Sequence, residues 1–278
     1  MRIRNLLLRA WRVGWRVPVG CALVFVCVVP YVWLWASAFK YRVDMLASPP
    51  VLLFRPHLGN FVEVFWERRF DSNLTNSLIV ALCSAALAAV VGLPAAYGLS
   101  RIQLRHKRQV LFLILSTRMA PPIALALPLY VIYREFGCLD TRAGLVLAHA
   151  AFSVSLFIWL MKGFFDGIPR SIDDVALTDG FSHLRTMLLL LRSVVPGLVV
   201  SCLFCALFSW NEFLLAMVLT GREAGTLPVS ILGLVTPRGT YWGQVAAIAL
   251  VATVPVVLLA AIARGYLVRA MTSGVLKA

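Results

Sequence analysis

The chain has few charged residues for its length. Asp, Glu, Lys and Arg make up 14% of its 278 residues, whereas soluble domains carry about 25%. Hydrophobic residues reach 61%, and the mean hydropathy is +0.87. So little polar surface cannot cover a water-exposed fold, which excludes a soluble globular protein. Lipid must be the main solvent of this chain.

Acidic residues are scarcer still, with 12 against 26 basic residues and a net charge of +14. In a soluble protein that excess would suggest a nucleic-acid partner. Here most of the basic residues lie between long apolar runs, where they are typical of the flanks of membrane helices. We therefore expect a membrane-lipid environment and no nucleic-acid partner.

The motifs of catalysis and of nucleotide binding are also missing from the sequence. No G-x-x-x-x-G-K-[ST] run is present, so this chain is expected to bind no ATP and no cofactor of its own. The four histidines show no H-E-x-x-H or other metal-ligand spacing, and no Ser-His-Asp set stands out. Cys202 and Cys205 have C-x-x-C spacing, but without a second pair they predict neither a metal nor a redox site. The sequence predicts a non-catalytic protein without a metal.

Six apolar runs are each long enough to cross a bilayer core of about 30 Å as a helix. Their continuity favours helices over the alternating strands of a membrane barrel. The runs cover residues 17–38, 74–97, 110–133, 143–165, 194–215 and 243–268. The fold class is therefore an all-α integral membrane protein with six transmembrane helices.

The first run, residues 17–38, has two possible interpretations. Its end at Ala36-Ser37-Ala38 resembles a signal-peptide cleavage site, but about 20 apolar residues exceed the roughly 7–15 of a secretory signal, which favours an uncleaved anchor. The basic segment 1–16 before it is expected in the cytoplasm, either as a short amphipathic helix on the membrane surface or as a disordered flank.

Basic residues orient the six spans. Cytoplasmic loops carry an excess of Lys and Arg, and this excess is found before the first span, between the second and third, and after the sixth. The segments 39–73, 134–142 and 220–242 have a smaller excess and are expected outside. Both termini are then cytoplasmic, which requires an even number of spans. The basic residues on the inner side are Arg2, Arg4, Arg9, Arg12, Arg16, Arg101, Arg105, Lys107, Arg108, Arg264, Arg269 and Lys277.

The remaining cytoplasmic loop, residues 166–192, departs from this charge pattern because aspartates match its basic residues. Pro169 and the [ST]-x-x-[DE] spacing of Ser171 and Asp174 predict a short helix that begins there with a capping box. Gly180 is expected to end the helix in the left-handed conformation. A helix of two turns is not stable alone, so we expect it to have a docking partner.

The segment from Ile168 to Gly180 resembles the cytoplasmic EAA loop of binding-protein-dependent ABC importer permeases. In that family the loop carries an E-A-A-x-x-D-G pattern and forms the coupling helix that inserts into the ATPase subunit. The resemblance implies an ATPase-coupling role for residues of this segment, although Asp replaces Glu and Val replaces the first Ala. The implied residues are Asp173, Asp174, Val175, Ala176, Asp179 and Gly180.

Three further segments resemble carbohydrate-uptake permeases of the maltose, trehalose and glycerol-3-phosphate type. They are residues 117–122, 209–213 and 226–229, in the order and spacing found in that group. The resemblance implies a type I ABC importer (MetI-like) permease fold, with the permease domain over residues 74–267, in the smaller six-span subunit. It also implies the bacterial plasma membrane as location and three partners: a second permease in a heterodimer, an ATPase dimer that carries ATP and Mg, and an extracytoplasmic substrate-binding protein.

Two ionisable residues, Arg118 and Glu212, lie within apolar runs. Such residues usually face a cavity or a partner. Three interpretations remain open: a structural Arg–Glu pair, a lining of the translocation pathway, or, for a residue near the end of a span, a side chain that extends to the interface. Asn211, beside Glu212, could bind a sugar hydroxyl or join two helices.

Prolines interrupt the third run at Pro121, Pro122 and Pro128, and they are expected to break or kink that span. The segment 221–239 contains several glycines and prolines and is expected to be an external loop. It either extends toward the binding protein or serves as a plain connector.

The sequence therefore predicts a permease subunit that moves a sugar or sugar-derived solute into the cell, with ATP hydrolysis in partner subunits. A membrane-embedded enzyme acting on lipid-linked sugars is one alternative, but few carboxylates are available for it. An ion-coupled carrier is the other, but it should show internal repeats and paired acids at the membrane midplane.

Overall fold

The computed structural model describes residues 16–68, 70–237 and 239–272. The expected surface helix or flank at residues 1–16 lies outside these residues apart from Arg16. The described chain is helical apart from its loops and one two-stranded hairpin. Its helices are α1 (Arg16–Ala38), α2 (Arg42–Leu46), α3 (Gly59–Val62), α4 (Phe70–Arg101), α5 (Lys107–Met119), α6 (Pro122–Glu135), α7 (Arg142–Asp166), α8 (Ser171–Thr178), α9 (His183–Asn211), α10 (Leu214–Leu219), α11 (Leu227–Ser230) and α12 (Trp242–Thr272).

Five of these helices, α1, α4, α7, α9 and α12, are long and apolar enough to cross a membrane. The number rises to six if α5 and α6 together form one span, bent by 84°. The fold class is thus a helical membrane protein with five or six candidate spans. Each helix of 23 residues or more exceeds the roughly 20 residues that a bilayer requires.

The bend between α5 and α6 lies at Ala120 and Pro121, both of which have extended backbone angles. A proline disfavours helical angles in the residue before it, which explains the end of α5 at Met119. Pro122 then takes the first position of α6, where its missing N–H removes no hydrogen bond. The chain continues as helix through Pro128.

One compact unit comprises residues 69–233 and 253–278. Its core lies between α4, α7 and α9, which pack closely because small residues face large aromatic ones. A Cβ at Gly92 would lie 2.6 Å from the Phe157 ring, and a Cβ at Gly197 would overlap the ring of Phe164. These glycines let the helix backbones approach each other.

The other compact unit comprises residues 1–68 and 234–252. Its small core joins Ala38 at the end of α1 to Ala246 and Ala247 of α12. The hairpin strands β1 (Val235–Thr236) and β2 (Gly239–Thr240) pair antiparallel in this unit. A turn of π-helix over Glu63–Glu67 continues α3.

The helix expected over residues 194–215 differs from the structure at both ends. It starts earlier, at His183, because Ser182 caps it by accepting the backbone N–H of Arg185. It stops at Asn211, and a separate turn, α10, follows after Glu212 and Phe213. The linking segment between α7 and α9 is correspondingly shorter than the expected loop 166–192.

Candidate functional site

The short helix α8 starts at Ser171, but the expected capping box does not form. Arg170 occupies the capping position with helical angles (φ −64°, ψ −24°) and makes no side-chain cap bond. A capping side chain requires an extended backbone, and Ser171 already lies inside the helix. The helix instead begins with Ile172 and Asp174 donating their backbone N–H groups to the carbonyls of Pro169 and Arg170.

The end of α8 is a Schellman motif at Gly180. Gly180 has φ +83°, a left-handed conformation that glycine adopts without a side-chain clash. Its N–H donates to the Leu177 carbonyl at 3.1 Å, and the Phe181 N–H donates to the Ala176 carbonyl at 3.0 Å. These two bonds satisfy carbonyls that a helix end would leave free, and they direct the chain into α9.

The two faces of α8 have different surroundings. Asp173 and Ala176 are buried, three residues apart and therefore on one face. The rest of the helix surface is exposed and mixes apolar with polar side chains. Its apolar side chains are Ile172, Val175 and Leu177, and the exposed residues Asp174, Thr178, Asp179 and Gly180 accompany them.

Asp173 fixes α8 to the end of α4 through both carboxylate oxygens. Its Oδ2 lies 2.9 Å from Nη2 of Arg101 as an ion pair without the alignment of a hydrogen bond. Its Oδ1 accepts a hydrogen bond of 2.8 Å from the Tyr97 hydroxyl. Both charged side chains are almost fully buried, which makes the interaction stronger than a surface ion pair. Arg101 also donates to the Phe165 carbonyl of α7 at 3.0 Å, so one guanidinium joins three helices.

A second set of polar contacts surrounds Ser100, the neighbour of Arg101. The Ser100 hydroxyl donates to Asp166 Oδ1 at 2.6 Å, and Lys162 forms an ion pair with the same carboxylate. The Ser100 carbonyl accepts from Arg170 and from Lys107, each at 3.2 Å. The residues that flank α8 are thereby tied to the ends of α4 and α7.

Glu212 lies at the break between α9 and α10. No ion pair with Arg118 is found among the described residues. Its carboxylate accepts the backbone N–H groups of Leu214, Leu215 and Ala216 at 3.0–3.2 Å. Its Oε2 also lies 3.4 Å from Nε2 of His149, a fully buried side chain of α7. The first N–H groups of α10 and the imidazole therefore compensate the buried charge.

Arg118 has a different partner, and the ion pairs found among the described residues do not include Arg118 with Glu212. Its guanidinium lies 4.3 Å from the centre of the Phe208 ring of α9, a cation–π contact. Its Nη1 is buried without a hydrogen-bond partner. Asn211 is exposed, and its amide donates to the Leu207 carbonyl at 2.7 Å within α9.

A compact turn over residues 220–227 is held from two sides. The Asp140 carboxylate accepts the N–H groups of Gly221 (2.7 Å) and Ala224 (2.9 Å). Asn76 of α4 donates to the carbonyls of Glu223 and Gly225 and accepts from Arg142. Burial disfavours ionised Asp140, but the N–H groups outweigh burial and lower its pKa. The start of the segment expected as a loop at 221–239 is thus ordered.

Several residues of these contacts were not foreseen in the sequence. In the sequence, Tyr97 is the last residue of an apolar run and Arg101 is one of the basic residues that flank it. His149 is one of four histidines without metal-ligand spacing. The one indication available was the presence of Arg101 and His149 in or beside predicted membrane helices, where ionisable residues require partners.

The structure defines a multi-span membrane protein with a short, firmly anchored helix between two of its spans. Residues 88–273 match the family described as binding-protein-dependent transport system inner membrane component. The chain belongs to this family, and it is the non-catalytic permease subunit of an ABC importer in the inner membrane. The family inferred from residues 168–180 and the three other segments is therefore confirmed.

Individual relatives agree over nearly the whole chain. A probable ABC transporter permease protein, y4oR, of Sinorhizobium fredii is 32% identical, covering 96% of this chain and 95% of the relative. The trehalose transport system permease protein SugB of Mycobacterium tuberculosis is 31% identical over 96% and 97%. The trehalose/maltose transport system permease protein MalG of Thermococcus litoralis is 28% identical over 93% and 95%. A crystal structure of a bacterial ABC transporter involved in import of the polysaccharide alginate matches with a TM-score of 0.74 at 23% identity, over 93% and 96%, and supports the fold.

Proposed function

We propose that this chain imports a sugar or sugar-derived solute and that α8 is the element through which an ATPase drives it. The observation that carries the proposal is the two-sided character of α8. Its buried face is fixed to the bundle by Asp173, and its exposed face offers Val175 and its apolar neighbours to another protein. A helix of eight residues that exposes three apolar side chains, Ile172, Val175 and Leu177, fits a docking element.

The contacts of α8 divide the coupling residues into two groups. Asp174, Val175, Asp179 and Gly180 are exposed and contact the ATPase directly. Asp173 and Ala176 are buried and act by positioning the helix. Closure of an ATPase dimer that binds ATP and Mg pushes on the exposed face. The Asp173–Arg101 ion pair then transmits the displacement to the ends of the adjoining spans, as in rigid-body switching.

The arrangement in the membrane follows from the charge pattern. Six spans, with α5 and α6 forming the third, place both termini and α8 on the cytoplasmic side. Residues 17–38 form the first span, residues 39–73 an external segment, and residues 74–267 the permease domain of the type I fold. The turn held by Asp140 is then external and faces the substrate-binding protein. A second, larger permease completes the heterodimer.

The solute class rests on the relatives, several of which are named for sugars, including trehalose and maltose. The third span is proposed to be broken at Pro121 and Pro122, where the chain bends by 84°. Broken helices of this kind are common along a transport path. Arg118 lies two residues before that break and Asn211 and Glu212 at the break in the fifth span. We assign these three residues to the path or its immediate support.

The proposal is tested by uptake into proteoliposomes that contain the chain with its copurifying partners. We expect uptake of labelled trehalose or maltose that requires both ATP and the binding protein. Val175→Asp should abolish uptake because it replaces an exposed apolar contact of the docking surface with a charge. Arg185→Ala, which changes an exposed side chain at the start of α9, serves as the control and should leave uptake unchanged.

Two results would refute this function. Transport driven by an ion gradient without ATP would identify a carrier that works alone. Turnover of a lipid-linked sugar without solute movement would identify a membrane enzyme.

A further inference from the structure

A cavity of about 290 Å³ lies in the unit formed by residues 1–68 and 234–252. We propose that it binds one sugar ring of the solute, outside the membrane path, as an entry subsite. The inference rests on the proposed function, since it assigns a ligand of the same class. The volume lies near the lower end of the ~300–1,000 Å³ typical of small-molecule sites, which suits a single ring rather than an oligosaccharide.

Aromatic side chains form part of the wall. Trp242 is 58% exposed although it lines the cavity, so one large ring offers free apolar surface to a ligand. Tyr241 is half-buried beside it, and the Tyr41 ring stacks on His57 with centres 3.8 Å apart. The C–H face of a sugar ring packs against such a platform, while its hydroxyls point to polar neighbours.

The polar part of the wall supplies both donors and acceptors. Glu63 accepts a hydrogen bond from the Gln244 amide, and both side chains line the cavity. Gln244 is only 4% exposed, and its Oε1 is buried without a hydrogen-bond partner. An unpaired amide oxygen in the interior is costly, and a ligand hydroxyl that donates to it removes that cost.

A close approach of the Asn60 side chain to the backbone of Gly243 brings a further amide into the same wall. A Cβ at Gly243 would lie 2.6 Å from Asn60 Oδ1, so only glycine permits this contact. The Asn60 amide nitrogen is already committed, because it donates to the carbonyls of Ala38 and Lys40 at 2.9 and 3.0 Å. Its orientation is thereby fixed, and the whole side-chain amide packs against Gly243.

Two arginines complete the surroundings. The guanidinium groups of Arg42 and Arg68 lie 5.4 and 5.0 Å from the centre of the Tyr241 ring. Neither takes part in the ion pairs found among the described residues. Arg42 lines the cavity and brings guanidinium donors to its wall, whereas Arg68 contacts that wall through Tyr241.

The mixed wall favours a sugar over a lipid phosphate. Trp, Tyr and Arg also occur together where a protein meets lipid headgroups, and a phosphodiester would suit the two arginines. The phosphodiester group accepts hydrogen bonds but donates none, so it would leave Gln244 Oε1 unpaired and would be repelled by Glu63. A polyol without the phosphate donates and accepts, and it can pair with both residues.

Saturation-transfer NMR on the assembled importer in nanodiscs, without its binding protein, tests this subsite. The probes are methyl α-glucopyranoside and, for the lipid alternative, dimethyl phosphate, a phosphodiester without hydroxyl donors. We expect saturation transfer to the glucoside, with binding about two- to tenfold weaker in Trp242→Ala. Trp242→Phe retains an aromatic ring and should keep most of the signal. Trp66→Ala removes another exposed tryptophan of the same unit and should change nothing.

Each contrary result overturns the subsite. These results are no transfer to the glucoside, a signal that Trp242→Ala leaves unchanged, or an equal loss in Trp66→Ala. Transfer to dimethyl phosphate alone is the fourth, and it identifies a headgroup site. All four are distinguishable from failure of the proposed function, which appears as absence of ATP-dependent uptake in the unchanged importer.

Discussion

The ion pair between Asp173 and Arg101 is expected to keep α8 folded against the bundle, and Asp173→Ala tests it. The substitution leaves the Arg101 guanidinium without its carboxylate and the Tyr97 hydroxyl without its acceptor. The side chains of Asp173 and Arg101 are 6% and 11% exposed. Removing one member of such a buried pair costs about 3–5 kcal/mol. We expect the lower end, because Arg101 keeps its hydrogen bond to the Phe165 carbonyl.

Hydrogen–deuterium exchange over residues 171–178 measures this cost where it arises. About 3 kcal/mol corresponds to roughly 100-fold faster exchange if α8 opens locally. Tyr97→Phe, which removes one hydrogen bond to a charged group, should cost about 1.5–3 kcal/mol. Asp174→Asn is the matched control, because it changes the neighbouring acid on the exposed face and should leave exchange nearly unchanged.

A double-mutant cycle separates the ion pair from other effects. Once Asp173 is already alanine, Arg101→Ala should cost much less than it does alone, with a coupling energy of about 1–3 kcal/mol. Unchanged exchange in Asp173→Ala, an equal effect of Asp174→Asn, or additive single substitutions would refute the reasoning.

Three further predictions concern other parts of the chain. Gly180→Ala places a side chain at φ +83°, so we expect about 1–2 kcal/mol of destabilisation, seen as faster amide exchange at the end of α8. The depressed pKa of Asp140 lies below its ordinary value of 3.8. The stabilisation that ionised Asp140 gives residues 221–224 should therefore be complete above about pH 4 and lost as the pH falls through the lowered pKa. Amide hydrogen exchange in this segment, corrected for the intrinsic exchange rate, should be constant between about pH 7 and pH 5. A change within that range would contradict this. His149→Ala removes a partner of Glu212 and should cost about 1–3 kcal/mol, which a thermal melt of the purified complex would show as a lower midpoint.

The membrane architecture is largely visible in the sequence, because it depends on local properties. Long apolar runs give the candidate spans, and the restriction that Pro121 places on Ala120 is a property of adjacent residues. Gly180 ends α8 for a similarly local reason. The start of α8 is the exception, because the capping box was expected at Ser171 and the helical angles of Arg170 prevent it.

The polar contacts between helices could not be predicted in the same way. Asp173 and Tyr97 are far apart in sequence, and only the packing of α8 on α4 brings them together. An eight-residue helix also has too few turns to show by periodicity which face is buried. The sequence predicts that Glu212 needs a partner. It does not show whether that partner is His149 or Arg118, because this depends on which helix faces the break between α9 and α10.

The central claim is that α8 is gripped by an ATPase on its exposed face. Photo-cross-linking to the copurified ATPase, from a benzophenone maleimide attached to single cysteines in α8 of an otherwise cysteine-free importer, tests it most directly. We expect Val175→Cys to cross-link with an efficiency that depends on ATP, and the buried position in Ala176→Cys not to cross-link. If neither cysteine cross-links to the ATPase, or if both do equally, α8 is not the coupling element.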